Sequence, residues 1–117
     1  MLHKLLDLLR GRPVRIDGTR GLPDGQARVV DVGDPLAGDG RSIVLCRVAG
    51  ELHALDSRCP HEGGRIIGGP LVDGSYALCP LHNYRFDPRD GRVVVGACKP
   101  ARTYRLREDA TGADLWL

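Results

Sequence analysis

The chain has no run of about twenty apolar residues, the length that a helix needs to cross the hydrocarbon core of a bilayer. Its charges nearly cancel, with a net charge of +2, so the composition gives no electrostatic case for binding nucleic acid. It also lacks internal repeats, low-complexity tracts and glycine-rich phosphate-binding motifs. What remains is a globular chain of 117 residues, long enough for one hydrophobic core and short for two.

The first ten residues predict a short amphipathic helix. Their apolar positions recur at helical spacing and are Leu2, Leu5, Leu6 and Leu9. Gly11 and Pro13 then end the pattern. Charges interrupt the segment and no small-residue cleavage site follows, so we do not interpret it as a secretory signal peptide. We expect a helix packed on its own domain, with a docking or dimer-forming helix as the alternative, and assign residues 1–19 to helix and linker.

The rest of the chain predicts an all-β fold. Sixteen glycines and eight prolines, about a fifth of the residues, indicate many turns. Short strand patterns recur between these turns, at 27–32, 42–48, 51–55, 71–78 (a hairpin), 92–95, 102–107 and 115–117. The segments 14–25 and 108–113 are interpreted as turns. No helical pattern follows residue 10.

Cysteine and histidine occur in two mixed pairs near the middle of the chain. One residue separates Cys59 from His61, seventeen residues follow, and two residues separate Cys79 from His82. Zinc fingers usually place a cysteine pair before a histidine pair, which fits this spacing poorly. The pattern suits a metal centre to which each of two loops supplies one thiolate and one imidazole. A zinc site, or cysteines and histidines with no metal at all, are the alternatives.

This pattern resembles the Rieske family, in which two cysteines hold one iron of a 2Fe–2S cluster and two histidines hold the other. Both cysteines are followed by proline, and the second pair continues as Asn83, Tyr84, Arg85, Phe86 and Asp87. Family members often carry glycine where Asn83 stands, so the asparagine is a departure. The resemblance implies that Cys59 and Cys79 ligate a buried iron. His61 and His82 would then ligate an outer iron, with their free nitrogens facing solvent.

The resemblance covers about residues 20–117 and implies a Rieske-type antiparallel β-sandwich. A cluster-binding subdomain of about 58–92 would be inserted between its strands. Residues 96–100 fall where family members carry a proline-bearing loop over the cluster, so Cys98 is expected either near the cluster or in packing. Cys46 is expected in the core. His53 is expected to be a half-exposed strand residue, with a third redox-linked histidine as the alternative.

Three functions follow as alternatives. The first is a free-standing Rieske ferredoxin that carries one electron from a flavin-type reductase to a terminal oxygenase. The second is a small Rieske-type subunit of a larger oxidoreductase such as nitrite reductase, and the third is a zinc-binding module without redox activity. We expect no catalysis by the chain itself, because Rieske oxygenases need a separate mononuclear-iron domain. Cys46 and Cys98 are expected to be free thiols in a reducing compartment, which indicates the cytoplasm.

Two properties of the centre are also predicted. High-potential members of the family carry a disulfide between the ligand loops and hydroxyl donors to cluster sulfur. The disulfide positions are Gly64 and Leu81 here, and Phe86 lacks a hydroxyl, so we expect a potential at the low end of the family range. A basic rim that steers an acidic partner is the second hypothesis, with a solvated surface of mixed charge as the alternative. Its members would be Arg58, Arg65, Arg85 and Arg89, with Glu62, Asp87 and Asp90 among them.

Overall fold

The structure is a computed structural model that describes residues 11–38 and 40–117. Its strands are β1 Val14–Asp17, β2 Gln26–Val32, β3 Arg41–Val48, β4 Glu51–Asp56, β5 Gly69–Pro70, β6 Ala77–Cys79, β7 Tyr84–Phe86, β8 Val93–Val95, β9 Thr103–Glu108 and β10 Gly112–Trp116. The only helices in the described ranges are two short 3-10 turns, Thr19–Gly21 and Pro35–Ala37. The all-β prediction is confirmed. The predicted N-terminal helix lies outside the described residues.

The strands form two antiparallel sheets. The larger sheet has the order β1-β10-β9-β4-β3-β2-β5, and the smaller has the order β6-β7-β8. Within the larger sheet, β4 and β9 pair only through Ala54↔Tyr104 and Leu55↔Thr103. This short ladder divides the larger sheet into a β1–β10–β9 half and a β4–β3–β2–β5 half. No helix in the described ranges is long and apolar enough to cross a membrane.

Strand β3 is the centre of the packing and is buried on both faces. Because neighbouring side chains of a strand point to opposite faces, β3 contributes to two separate cores. Val44 and Cys46 pack in the first core, which also contains Phe86 of the smaller sheet. Ile43 and Leu45 pack in the second core, between the two halves of the larger sheet. Burying each of these aliphatic side chains contributes roughly 1.5–3 kcal/mol.

Arg47 is the charged exception on this strand, and it is only 4% exposed. Its guanidinium donates to both carboxylate oxygens of Glu108, at 2.6 and 2.8 Å. It also donates to the carbonyls of Thr19 and Leu22, at 2.8 and 3.1 Å. The pKa of Glu108 is lowered by the hydrogen bond from Arg47, although burial opposes the shift. This buried ion pair ties the Thr19–Gly21 turn to β3 and β9, and the sequence patterns did not predict it.

Two segments that were interpreted as turns contain strands. β1 pairs with β10 from Val14↔Leu115 to Asp17↔Gly112, so it belongs to the same sheet although it precedes residue 20. A Cβ at Gly112 would collide with the carbonyl oxygen of Ile16, so glycine is what allows β10 to begin this early. The predicted 71–78 hairpin has its turn, but only the bridge Val72↔Tyr76 pairs across it. The following strand, β6, pairs with β7 instead.

Candidate metal centre

Two neighbouring loops carry the four candidate ligands. The first loop follows β4 and contains Cys59 and His61, whereas the second connects β6 to β7 and contains His82. Cys79 is the last residue of β6. The Ile67 amide donates to the carbonyl of Leu78 at 3.0 Å, which holds the segment after the first loop against β6. The smaller sheet therefore brings together residues that are far apart in the sequence.

Both loops turn sharply through left-handed backbone conformations. In the first, the Cys59 amide donates to the Gly64 carbonyl at 2.8 Å, and Glu62 and Gly63 have φ angles of 51° and 70° between them. In the second, Asn83 has a φ of 60°. Asparagine is among the few residues other than glycine that adopt this conformation readily. This explains why asparagine can stand where the Rieske family often carries glycine.

The histidines form a nitrogen pair. The Nδ1 atoms of His61 and His82 lie 3.3 Å apart. Two nitrogens bound to one metal ion at about 2.1 Å, with a roughly tetrahedral angle between them, would lie about 3.4 Å apart. The other ring nitrogen of His61, Nε2, lies 4.0 Å from the carboxylate of Glu62. The two Nδ1 atoms are therefore the ones positioned to share a metal ion.

The cysteines form a separate sulfur pair. Cys59 and Cys79 are 2% and 1% exposed. Burial, with a smaller contribution from the adjacent Cys79 thiol, raises the pKa of Cys59 to about 11, although the His61 amide donates to its sulfur at 3.5 Å and opposes the shift. A thiolate at this position therefore needs a metal cation beside it. His61, Glu62 and His82 form a group whose potential ligand atoms all lie within 4.8 Å of one another, and neither cysteine sulfur belongs to that group.

This division into two pairs discriminates between metals. A single zinc ion with four ligands needs all four donor atoms around one point. A 2Fe–2S cluster of mixed ligation instead takes a pair of thiolates at one iron and a pair of imidazoles at the other. The donor set of this chain fits the cluster.

Gly64 leaves space beside the sulfur pair. A Cβ at this position would lie 2.7 Å from Sγ of Cys79 and 3.3 Å from Cβ of Leu81. The backbone of Gly64 is not left-handed, so the close approach, and not the conformation, is what requires glycine. The same distances show that Gly64 and Leu81, the positions of the disulfide in high-potential Rieske proteins, are side by side here without sulfur.

The two histidines differ in exposure. His82 is exposed, whereas the side chain of His61 is 19% exposed because Tyr84 stacks on it, with ring centroids 4.2 Å apart and planes 12° apart. Gly96 packs against the Tyr84 ring, since a Cβ there would lie 2.5 Å from it. The Tyr84 hydroxyl donates to the Ala97 carbonyl at 3.5 Å. Tyr84 is thus a platform for His61, a role that the sequence analysis missed.

The remaining cysteines and His53 are placed apart from the nitrogen pair. Cys46 lies in the first core, and burial raises the pKa of its thiol to about 12. His53 lies in β4 opposite Cys46, half-buried, with a pKa lowered mainly by burial. Cys98 is half-buried and packs against the core that contains Cys59 and Cys79. Burial also raises the pKa of Cys98.

Stacked antiparallel sheets that carry a buried sulfur pair and a surface nitrogen pair define a class of mixed-ligand iron–sulfur domains. The sequence profile of the Rieske [2Fe-2S] domain matches residues 13–105. The chain therefore belongs to the Rieske [2Fe-2S] family. Its cofactor is a Rieske-type 2Fe–2S cluster, and its chemistry is one-electron transfer.

Relatives of similar length are ferredoxin components. The chain is 37% identical, over 71% of its own length and 73% of the relative's, to the 3-phenylpropionate/cinnamic acid dioxygenase ferredoxin subunit of Photorhabdus laumondii. It is 34% identical, over 74% and 77% of the two lengths, to the ferredoxin component of the naphthalene 1,2-dioxygenase system of Pseudomonas aeruginosa. Among solved structures, the ferredoxin of carbazole 1,9a-dioxygenase from Nocardioides aromaticivorans IC177 superposes with a TM-score of 0.73 at 28% identity, covering 90% of this chain and 97% of that one.

Proposed function

We propose that this chain is the ferredoxin component of an oxygenase system and delivers single electrons to a terminal oxygenase. The separation of the four candidate ligands into a sulfur pair and a nitrogen pair is the observation that carries the proposal. The relatives described above are ferredoxin components of dioxygenase systems, which supports this function over a nitrite reductase subunit. The chain would carry electrons, and the oxygenation itself would occur on the partner.

The proposed ligands have distinct roles. Cys59 and Cys79 would hold the inner iron as thiolates, and their burial would keep water away from it. His61 and His82 would hold the outer iron through Nδ1. When bound, the cluster supplies a one-electron couple. Because His82 is the exposed histidine, the electron would leave the cluster for a partner through its ring. Tyr84 would hold His61 in place by stacking on it.

Three finer assignments accompany the function. We propose a cluster-binding subdomain of about 58–92, which contains both ligand loops and the β6–β7 hairpin. A flavin-type reductase is the proposed electron donor, since a carrier that delivers electrons to an oxygenase must itself be reduced by another protein. The cytoplasm is the proposed location, because Cys46 and Cys98 are both free thiols.

Purification under nitrogen, followed by iron and sulfide analysis and electron paramagnetic resonance of the reduced protein, tests the cofactor and its ligands. Two irons and two sulfides per chain are expected. His82→Ala should lose the cluster because it removes half of the nitrogen pair. His53→Ala is the control, since it removes a half-buried histidine of β4 that lies outside the nitrogen pair, and it should keep the cluster.

The carrier role is tested by oxygenase turnover that depends on this protein. A dioxygenase of the naphthalene or carbazole type, supplied with its reductase, should turn over with this chain in place of its own ferredoxin and stop with His82→Ala. Stoichiometric zinc without iron in protein prepared aerobically and anaerobically would contradict the proposal, as would a cluster that His82→Ala leaves unchanged.

A further inference from the structure

The positive charge beside the centre is distributed differently from the predicted rim. Arg89 is committed to the buried carboxylate of Asp87 through two hydrogen bonds of 3.0 and 2.9 Å, which also lower the pKa of that carboxyl. Arg85 is half-buried, and its Nε atom is enclosed without a hydrogen-bond partner. Of the four predicted members, only Arg58 and Arg65 are exposed and free of a carboxylate partner among the described residues.

A basic cleft replaces the rim. Two adjoining depressions share Asp56 and Arg58 in their walls. The first extends towards β3, and the second extends along the first ligand loop to the 96–100 segment. The cationic side chains that line them, which we call the basic cleft, are Arg41, Arg58, Arg65, Lys99 and Arg102. Cys59, Pro60 and Gly63 form part of the same wall, so the cleft reaches the candidate centre itself.

The cations of the basic cleft are not neutralised within the described part of the chain. None of them makes a salt bridge there with a carboxylate within 4.0 Å. The cleft contains two carboxylates, and both are engaged by other groups. Asp56 accepts from the Tyr104 hydroxyl at 2.8 Å and from the Arg58 amide at 2.8 Å, and Asp31 accepts from the Ser42 hydroxyl at 2.5 Å. Five cations against two carboxylates leave the cleft at +3, more than the +2 of the whole chain.

The arrangement suits a protein surface better than a small ion. The cations are exposed or half-exposed and are spread over an open wall, so they do not converge on one point. Unpaired guanidinium groups bind carboxylates in a bidentate geometry, and a positive surface attracts a negative one over about a Debye length. The near-neutral chain has no electrostatic case for nucleic acid. An acidic protein surface is the occupant that remains.

We propose that the basic cleft docks a carboxylate-bearing surface of a redox partner protein directly beside the centre. This inference rests on the proposed electron-carrier function and adds the side of the molecule and the charge of the partner. Docking along the Cys59 loop and the 96–100 segment would place the partner against the loop that carries Cys59 and His61.

The test compares two double variants of the cluster-loaded protein. Lys99→Glu with Arg102→Glu reverses the cleft, and Arg12→Glu with Arg105→Glu is the matched control. Arg12 precedes β1, and Arg105 lies opposite Trp116 in the β1–β10–β9 half of the sheet. Both doubles change the net charge by the same amount. The reduced proteins are mixed in a stopped-flow instrument with ferricyanide, an anionic oxidant, with hexaamminecobalt(III), a cationic oxidant, and with dioxygen, which is neutral.

At low salt, the cleft variant should react at least about fivefold more slowly with ferricyanide and faster with the cobalt complex, while its rate with dioxygen is unchanged. The control should change each rate less than about twofold. The differences should vanish near 1 M salt, where the Debye length is about 3 Å. Equal effects of the two doubles, or slowing by the cleft variant with both charged oxidants, would overturn the inference.

An octa-aspartate peptide extends the test to a protein-like partner. It should bind the wild-type holoprotein in calorimetry and slow its reaction with ferricyanide, and the cleft variant should bind it at least about tenfold more weakly. A peptide that fails to bind would show that the cleft attracts small anions only, and the docking proposal would be wrong. The spectrum and midpoint potential of each variant are recorded first. A wild-type protein without a cluster would refute the proposed function, whereas intact clusters with charge-independent rates would refute only the docking inference.

Discussion

Replacing Gly64 with alanine tests the candidate centre through one added methyl group. Gly64 closes the first ligand loop, and its missing side chain leaves the space that Sγ of Cys79 occupies. The backbone of Gly64 is not left-handed, so alanine can adopt its conformation. The perturbation is therefore almost purely steric. We expect Gly64→Ala to displace the Cys79 thiol and to weaken retention of the cluster.

The size of the effect follows from the distances. An added Cβ would lie 2.7 Å from Sγ of Cys79, whereas non-bonded heavy atoms prefer about 3.5–4.0 Å. Leu81 blocks relaxation on the other side, with its Cβ and Cδ2 at 3.3 and 3.2 Å. Overpacking of this kind costs about 1–3 kcal/mol. Since about 1.4 kcal/mol corresponds to a factor of ten, cluster affinity should fall by roughly five- to 150-fold.

Gly63→Ala is the neighbouring control. Its φ of 70° penalises alanine by about 1–2 kcal/mol, but no atom lies within 4 Å of the added Cβ. Gly63→Ala should thus lower stability without releasing the cluster. The assay is the rate at which each variant loses its visible absorption in the presence of a chelator, together with thermal unfolding. A Gly64→Ala protein that keeps wild-type retention, or a Gly63→Ala protein that loses the cluster equally fast, would refute the steric explanation.

Three further predictions concern the centre and its support. The midpoint potential at neutral pH should lie near or below about −100 mV, because few hydroxyl donors stabilise the reduced cluster. Phe86→Tyr should raise that potential. Voltammetry that gives a clearly positive wild-type value would show the prediction wrong. Tyr84→Leu should release the cluster faster than wild type under a chelator because it removes the ring stacked on His61, while Tyr84→Phe keeps that ring and should behave as wild type. Glu108→Gln should reduce the free energy of unfolding by about 3 kcal/mol at pH 7, since it leaves the buried Arg47 without its counter-ion. Because the folded-state pKa of Glu108 is lowered, its charge stabilises the fold fully above the ordinary pKa of 4.5 and less as the pH falls below that value. The difference in free energy of unfolding between wild type and variant, measured in urea, should therefore be smaller at pH 3.5 than at pH 7. An equal difference at the two pH values would contradict the assignment.

Much of the centre could be predicted from the sequence because its signals are local. The spacing of Cys59, His61, Cys79 and His82 indicated a two-loop metal centre before any fold was known. The strands β2, β3 and β4 followed from branched residues between turns, and their bounds agree with the structure to within one residue at each end. Period-two patterns and turn residues act over a few positions, so a sequence displays them directly.

Strand β1 and the beginning of β10 were not predicted for the opposite reason. Four residues make β1, too few for a distinctive pattern, and its place in the sheet depends on pairing with a segment almost one hundred residues away. The role of Gly112 also depends on that pairing, because the backbone of Ile16 and Asp17 in the partner strand makes a Cβ there impossible. A glycine of this kind looks like an ordinary turn residue in the sequence.

The sequence by itself determined the ligand types, the two-loop arrangement and the all-β class. Only the tertiary structure decided which charged and aromatic side chains around the centre contact one another. It pairs Arg89 with Asp87 and places Lys99 and Arg102 beside Cys59 without a carboxylate partner among the described residues. It also stacks a tyrosine on His61 and leaves His82 exposed. Such contacts depend on which distant segments the strand register brings within a few ångströms of one another. Electrostatic and packing interactions are strong only at those short distances, so the sequence alone does not show them.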